Sequence, residues 1–405
     1  MKDKPFFSIV IPTKNRPNYL EESIKSVLLQ SFTDYELIIS DNCNDNDTPQ
    51  IIERYSSLPN VTAIKPDTEL NMIDHWEFAT SQAVGKFVVL LADRKVLYVD
   101  ALNKIHTALR AHPNISIASF GVKVFDDQQK QMGWDAPLTK TKVYTTDELL
   151  KNFLGENYYS PKTKDFYFPK TLNGCYKNEF VQKLRANGSR YFNNDGVTTP
   201  DYSSFFINMS FFDNALYIGE KILLTQGEHT SNGRHFGAGK FEGYMKSLGL
   251  ADPYTDVPVK APFIYNLLMV DFLAIQSRFA GNLTSQQPVW ENYYYTNYWE
   301  YILKAKLQID GVDLQFFRSA WINAYKEDAQ RLDFNLDTNE IEEAYNDNLK
   351  IGKLDKVVNF KQHLRDFCFH RFPNNKLMNK MFKHKFNSAL LAAGYKIDQI
   401  ESIGK

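Results

Sequence analysis

The chain has 405 residues, which at about 150 residues per domain predicts two to three domains. Its 47 Lys and Arg nearly balance 48 Asp and Glu, leaving a net charge of -1, so the basic excess of a general nucleic-acid binder is absent. At 43% hydrophobic and 23% charged, with 19 glycines and 16 prolines, the composition is globular and excludes disordered, fibrous and low-complexity chains.

The first 125 residues alternate between two hydrophobic periodicities. A short apolar run, Phe6–Ile11, closes at Pro12; it is too short for a signal peptide and predicts a buried strand. A helix is predicted over Pro17–Gln30, with Leu20, Ile24, Val27 and Leu28 on one face and Pro17 in the first turn. Further strands follow at Tyr35–Ser40, Val61–Lys65, Phe87–Leu91 and Ile115–Phe120, separated by helical patterns at Pro49–Ser57, Met72–Ala83 and Val99–Ala111. Strand and helix repeated in this way predict an α/β fold, a Rossmann-like and mostly parallel sheet flanked by helices. Ligands of such sheets sit at the carboxyl ends of the strands. The loops Pro12–Arg16, Asp41–Thr48, Lys65–Asn71 and Ala92–Lys95 are therefore the ones that should carry function.

From about 126 to 240 the pattern is mixed. Helices are predicted at Asn178–Asn187 and Pro200–Phe212, and two short strands, Leu216–Ile218 and Lys221–Leu224, around a Gly219-Glu220 turn. Gly227–Gly243 is rich in glycine and reads as a mobile loop. Long helical patterns dominate from Pro262, and a composition shift near 255 divides a 1–255 domain, with halves at about 1–125 and 126–255, from a helical 256–405 region. Cys43, Cys175 and Cys368 are widely spaced, which argues against a disulfide framework or zinc knuckle and for a reduced, cytoplasmic chain. The most apolar helix, Ala261 to Ile275, is interrupted by Asp271, and no stretch approaches about 18 uncharged apolar residues, so no membrane span is predicted.

The most informative stretch is FSIVIPTKNRPNYLEESIKSVLLQSFTDYELIISDNCNDNDT. A strand ends in Ile11-Pro12-Thr13, then come Asn15-Arg16 and a helix closing near Gln30-Ser31. A second strand ends in Ser40-Asp41-Asn42, before a polar loop closing at Asp47-Thr48. In type and spacing these elements resemble the start of inverting family-two glycosyltransferases, and the resemblance extends over about residues 5–235. It implies a GT-A fold, a nucleotide-sugar donor such as a UDP- or dTDP-sugar, and a glycan or lipid-linked acceptor, with surface polysaccharide biosynthesis as the family-level setting. It also implies that Asp41 contacts the base, where a carboxylate can accept the imide N–H of uracil or thymine. Pro12, Thr13, Asn15 and Arg16 would line the same cleft.

In the same family a cluster of aspartates holds a divalent cation against the sugar diphosphate. Here Asp93 aligns with one of them, but Arg94 and Lys95 occupy neighbouring acidic positions; in an alignment offset by one residue, Ala92 replaces an aspartate instead. A Mg²⁺ or Mn²⁺ cofactor on Asp93 thus stands against direct neutralisation of the diphosphate by Arg94 and Lys95. His229 and Arg234 are further candidates for phosphate oxygens, with Glu228 as a replacement metal ligand. Thr199-Pro200-Asp201 opens a helix where the family places its catalytic base. Asp201 is the candidate, since the positive end of the helix dipole favours its ionised form, and Asp195 is the alternative.

Two features stand apart from the resemblance. Tyr293–Trp299 is dense in aromatic rings, which serve helix packing or sugar stacking. Lys376–Lys385 interleaves basic and apolar residues, a pattern compatible with peripheral contact to an anionic membrane and equally with an ordinary surface helix. A GT-A-shaped binding protein that has lost catalysis at Ala92–Lys95 is the competing function. A nucleotidyltransferase is disfavoured, because the loop after the first strand lacks glycine.

Overall fold

A computed structural model describes residues 4–43, 47–126, 131–135, 140–155, 169–192, 196–226, 241–250, 252–307, 314–332, 336–339, 343 and 388–403. The first half runs β1 (Phe7–Thr13), α1 (Pro17–Leu28), β2 (Tyr35–Asp41), α2 (Thr48–Ser56), β3 (Val61–Ile64), α3 (Met72–Ser81), β4 (Phe87–Leu90), β5 (Lys95–Leu97), α4 (Ala101–Ala111) and β6 (Ile117–Asp126). Then come β7 (Gln131–Asp135), β8 (Lys142–Thr145), α5 (Thr146–Gly155), a 3₁₀ turn (Thr171–Asn173), β9 (Gly174–Lys177), α6 (Asn178–Ala186), α7 (Pro200–Phe211) and β10 (Asn214–Thr225). The remainder is helical: α8 (Phe241–Ser247), α9 (Ile264–Arg278), α10 (Trp290–Leu307), α11 (Leu314–Leu332), α12 (Ser388–Ala392) and α13 (Ile397–Ser402). This is the GT-A-type α/β architecture, a central sheet between helices followed by a helical C-terminal region.

The sheet runs β3-β2-β1-β4-β9-β6-β10-β5, with β7 added on β6 and β8 on β10. Pairing is parallel from β3 to β4 and mixed beyond it: β9 is antiparallel to both β4 and β6, and β10 is parallel to β6. Residues of β1 alternate between two cores because side chains of a strand point to opposite faces. Val10 joins the helices α3, α5, α7 and α9 on one side, whereas Phe7, Ile9 and Ile11 join α1, α2 and α4 on the other. The first of these cores is continuous across residue 255, since Phe205, Phe206 and Met209 of α7 share it with Leu267, Leu268 and Phe272 of α9.

Two elements differ from the sequence expectation. The segments predicted as separate strands around Gly219-Glu220 form the single strand β10, whose two halves pair in parallel with β6 across a register shift between Ile218 and Leu223. The apparent turn is a bulge inside a long strand. Lys95, predicted in a loop, opens the three-residue strand β5, which closes the sheet edge against Leu223–Thr225. A third, small core forms there: Val96, Tyr98, Phe125 and Leu224 pack with Ala389, Leu390, Ala393, Tyr395 and Ile400 from the C-terminal helices. The Tyr395 hydroxyl donates to Ser26 O at 2.9 Å and accepts from Gln30 Nε2 at 2.5 Å, tying this segment to α1.

Candidate active site

The carboxyl ends of β1 and β2 stand side by side, with Pro12 opposite Ser40 and Thr13 opposite Asp41. The turn out of β1 places Asn15 in the left-handed region at φ 55°, a conformation that asparagine tolerates better than most residues, and Arg16 then precedes the first turn of α1 at Pro17. Asp41 is buried at the strand end. Behind it Ser40 Oγ meets His75 Nε2 at 2.9 Å, and burial pushes His75 down to about 4, which keeps this imidazole neutral. Asn42 pins the loop that flanks Asp41: Leu70 N donates to Asn42 Oδ1 at 2.9 Å, and Asn42 Nδ2 donates to Leu70 O at 2.8 Å. Asp41 therefore sits on a frame held from three elements.

Asp93 occupies the next strand end and turns inward. Its Oδ2 accepts from Thr13 Oγ1 at 3.0 Å and its Oδ1 from Arg16 NH1 at 3.1 Å, and it is 1% exposed. Both oxygens are thus committed to β1 and the turn after it. Among the described residues no three His, Cys, Asp or Glu side chains converge as metal ligands. Asp93 as placed anchors an arginine and does not fit the metal-ligand role expected of it.

A cavity of about 470 Å³ opens beside these strand ends. Its lining includes Arg16, Arg94, Lys95 and Lys170, and Asp201 is the single carboxylate among the described lining residues. Arg94 NH1 donates to Thr225 Oγ1 at 3.0 Å and Gln226 O at 3.1 Å, which closes the end of β10 against the Asp93 turn. Lys95 is 4% exposed, and its Nζ donates to Leu172 O and Asn173 Oδ1, each at 2.6 Å. It borders the cavity with its ammonium directed at protein acceptors rather than standing open for a diphosphate. Met72, Trp76, Ile264, Leu267 and Leu268 supply apolar lining. Of the residues read as nucleotide-binding, Arg16 reaches this cavity, while Pro12, Thr13, Asn15 and Asp41 belong to the adjoining strand ends.

Asp201 lies in the first turn of α7, with Pro200 at the helix start. Its Oδ2 meets Lys170 Nζ at 3.2 Å, and the same ammonium lies 4.2 Å from the centre of the Tyr202 ring. The loop before the helix is held from α9. The Asp271 carboxylate accepts from Thr198 N at 2.5 Å, Thr198 Oγ1 at 3.0 Å and Thr199 N at 3.0 Å, and also from the Thr199 hydroxyl. Complete burial raises Asp271 to about 7 against the pull of these donors. Tyr244 lines the cavity too, and its hydroxyl donates to Thr198 O at 3.3 Å.

Lys170, Tyr244 and Asp271 escaped the sequence reading. Lys170 follows Pro169 with no local pattern, and Asp271 was visible only as a charge inside an apolar helix. His229, Arg234, Glu228, Asp195, Cys368 and Lys376–Lys385 lie outside the described residues. The Tyr293–Trp299 aromatics divide toward packing: Tyr293, Tyr294, Tyr298 and Trp299 are all buried in the larger core. Among the described residues no helix is long and apolar enough to cross a membrane.

The fold defines the class: an α/β domain with several cations and one helix-borne carboxylate gathered beside the carboxyl edge of its sheet. Residues 8–174 match the family described as Glycosyl transferase family 2, and this stretch is a domain of that family. The poly(ribitol-phosphate) beta-N-acetylglucosaminyltransferase TarS of Staphylococcus aureus (strain MW2) is 25% identical over 201 residues, covering 45% of this chain and 33% of that protein. The GalNAc(5)-diNAcBac-PP-undecaprenol beta-1,3-glucosyltransferase of Campylobacter jejuni is 31% identical over 110 residues, 25% of this chain and 33% of that one. Both matches span about a third of the relative's length. A crystal structure of S. aureus TarS 1–349 with UDP-GlcNAc aligns with 82% of this chain and 93% of its own, at 16% identity and a TM-score of 0.45.

Proposed function

We propose that the protein is an inverting glycosyltransferase that moves a sugar from a UDP- or dTDP-linked donor to a glycan or lipid-linked acceptor. The observation that carries this reading is the pairing of Asp201 with several cations in one cavity. In the reaction Asp201 takes the proton of an acceptor hydroxyl as its oxygen bonds to the anomeric carbon. The bond from that carbon to the diphosphate breaks on the opposite face, and the nucleotide diphosphate leaves with the electron pair. Negative charge grows on the leaving phosphate, so positive groups beside it stabilise the transition state. Arg16 and Arg94, which line the cavity, are proposed for this role, with Asp93 orienting Arg16. A divalent ion, if bound, would supply the same charge stabilisation. Asp41 is proposed to accept the imide N–H of the base.

The relatives support a setting. TarS is named for N-acetylglucosamine transfer to poly(ribitol-phosphate), and a putative teichuronic acid biosynthesis enzyme of Bacillus subtilis, TuaG, is 36% identical over 55 residues. Surface polysaccharide synthesis at the cytoplasmic side, with Lys376–Lys385 touching the membrane peripherally, is the setting we propose. The competing reading is a nucleotide- or glycan-binding protein without turnover, favoured by the commitment of both Asp93 oxygens to protein donors. Incubating the purified protein with UDP-GlcNAc, UDP-glucose and dTDP-sugars and measuring nucleotide diphosphate release separates them. Binding without release of any diphosphate would support the second reading.

A further inference from the structure

Asp271 stands at the joint between the helical region and the site. It is fully buried in the middle of α9, and its carboxylate receives two backbone N–H groups and two hydroxyls from Thr198 and Thr199. Thr199 is the residue that precedes α7, and its own side chain makes no capping bond within that helix. The anchor comes instead from another element: the Asp271 carboxylate holds the Thr198 and Thr199 N–H groups just ahead of the helix, near the positive end of its dipole. Two residues further on is Asp201, which lines the cavity, and between them Pro200 restricts the backbone. Little slack separates the Thr199 anchor from Asp201 along the chain.

We propose that Asp271 is a positioning residue: by gripping Thr198 and Thr199 it fixes where the Asp201 carboxylate stands, so that the helical region after residue 255 governs turnover at a site built otherwise on the sheet. This rests on the reading of Asp201 as the base. It differs from a purely structural role, because a buried carboxylate that only stabilised the fold would change melting and leave the folded enzyme's rate alone. Displacing a reacting group by about 1 Å costs on the order of a hundredfold in rate. Ile264, Leu267 and Leu268 of the same helix line the cavity, so α9 meets the site by side-chain packing as well as through this clamp.

Asp271→Asn replaces one acceptor oxygen by an amide that faces the Thr donors. The full chain is assayed by UDP release from UDP-GlcNAc or another donor that the wild type turns over, by calorimetry with UDP, and by hydrogen exchange. The expected result is a UDP affinity within about twofold of wild type, a kcat roughly tenfold to a hundredfold lower, and faster exchange at Thr198–Ser203 with the Phe205–Met209 amides unchanged. In an Asp201→Asn background the same change should alter the residual rate less than about twofold, because the two act as one unit. Wild-type kcat, or unchanged exchange at Thr198–Ser203, in folded Asp271→Asn overturns the proposal. If that variant does not fold, Thr199→Val and Thr199→Ser decide: the valine should be slow and the serine near wild type, and equal rates overturn it. Near wild-type turnover by Asp201→Asn alone instead removes the reading of Asp201, whatever Asp271 does, and the proposal falls with it.

Discussion

Arg16 and Asp93 lie 77 residues apart in sequence and meet at 3.1 Å, with the carboxylate 2% exposed and the guanidinium 30%. The aspartate that stands where a cation ligand was expected is therefore neutralised by an arginine from the turn after the first strand. Separating such a pair leaves a buried charge unpaired, which is far costlier than the pair itself is stabilising. A metal ion at Asp93 would have to displace Arg16 first.

That competition sets the expected response to chelation. Activity should survive EDTA largely intact, and Arg94→Ala should slow transfer by about tenfold or more, because the leaving diphosphate loses a cation. Initial rates with and without Mn²⁺ after chelation check this. Complete loss in EDTA with recovery on Mn²⁺, and an Arg94→Ala variant as fast as wild type, would assign the role to a metal.

Asp41→Ala should weaken UDP binding by about tenfold or more, since a charge-assisted hydrogen bond is worth about 1.5–3 kcal/mol. The frame around it is tied by Asn42 on Leu70 and Ser40 on His75. The variant should accordingly melt within a few degrees of wild type. Titration calorimetry that finds an unchanged affinity takes Asp41 out of the nucleotide site.

Asp201→Asn should retain UDP affinity and lose about 10²–10⁴ in rate, the usual contribution of a positioned base. The amide is close in size, so the Lys170 contact at 3.2 Å becomes a hydrogen bond from the ammonium to an uncharged oxygen and the cavity keeps its shape. Single-turnover rates at saturating donor provide the measurement. A variant that runs near the wild-type rate would make Asp201 a helix-stabilising residue.

Asp271 predicts a distinctive pH dependence of stability. Its carboxyl is raised to about 7 in the folded protein by burial, against about 3.9 in an unfolded chain. Between these values the folded protein holds a proton that the unfolded chain has released. Stability from this group is thus full below about pH 4, falls as pH rises and levels off above about 7. The span corresponds to on the order of 4 kcal/mol at 1.36 kcal/mol per pK unit. Relative to Asp271→Asn, the wild type should lose stability from pH 4.5 to 7.5 in urea titrations; parallel profiles for the two would show that Asp271 titrates normally.

Much of the sheet was legible because its signals are local. The apolar runs at Phe6–Ile11 and Tyr35–Ser40 overlap β1 and β2, and the Pro-led helices α1 and α7 begin at Pro17 and Pro200. Asp41 and Asp201 could be named because each sits at a predictable end of an element. Partnerships were not legible. Nothing in the run Ala92–Lys95 says that Asp93 turns toward Arg16 while Lys95 turns toward Asn173, since these choices depend on what the turn after β1 and the 3₁₀ turn offer. Lys170 and Asp271 act on the Asp201 turn from the segment before β9 and from α9, a relation with no sequence period. The bulge in β10 misled for a related reason: Gly219-Glu220 has turn chemistry, and only pairing with β6 on both sides reveals one continuous strand.

The last described helices bear on the order of assembly. β5 follows directly on Arg94, yet it is covered by Ala389–Ile400, and Tyr395 closes on Ser26 and Gln30 across 369 and 365 residues of chain. A ribosome finishes the strand long before it makes the residues that cover it. During that interval Val96, Phe125 and Leu224 lack their apolar neighbours, and the sheet edge beside the site is open to foreign strands. Closure of so long a loop is entropically slow to reach. The sheet can form as its strands emerge, but the edge next to Arg94 is sealed only when the chain around Tyr395 arrives, so nascent chains stalled short of that point should be prone to aggregate.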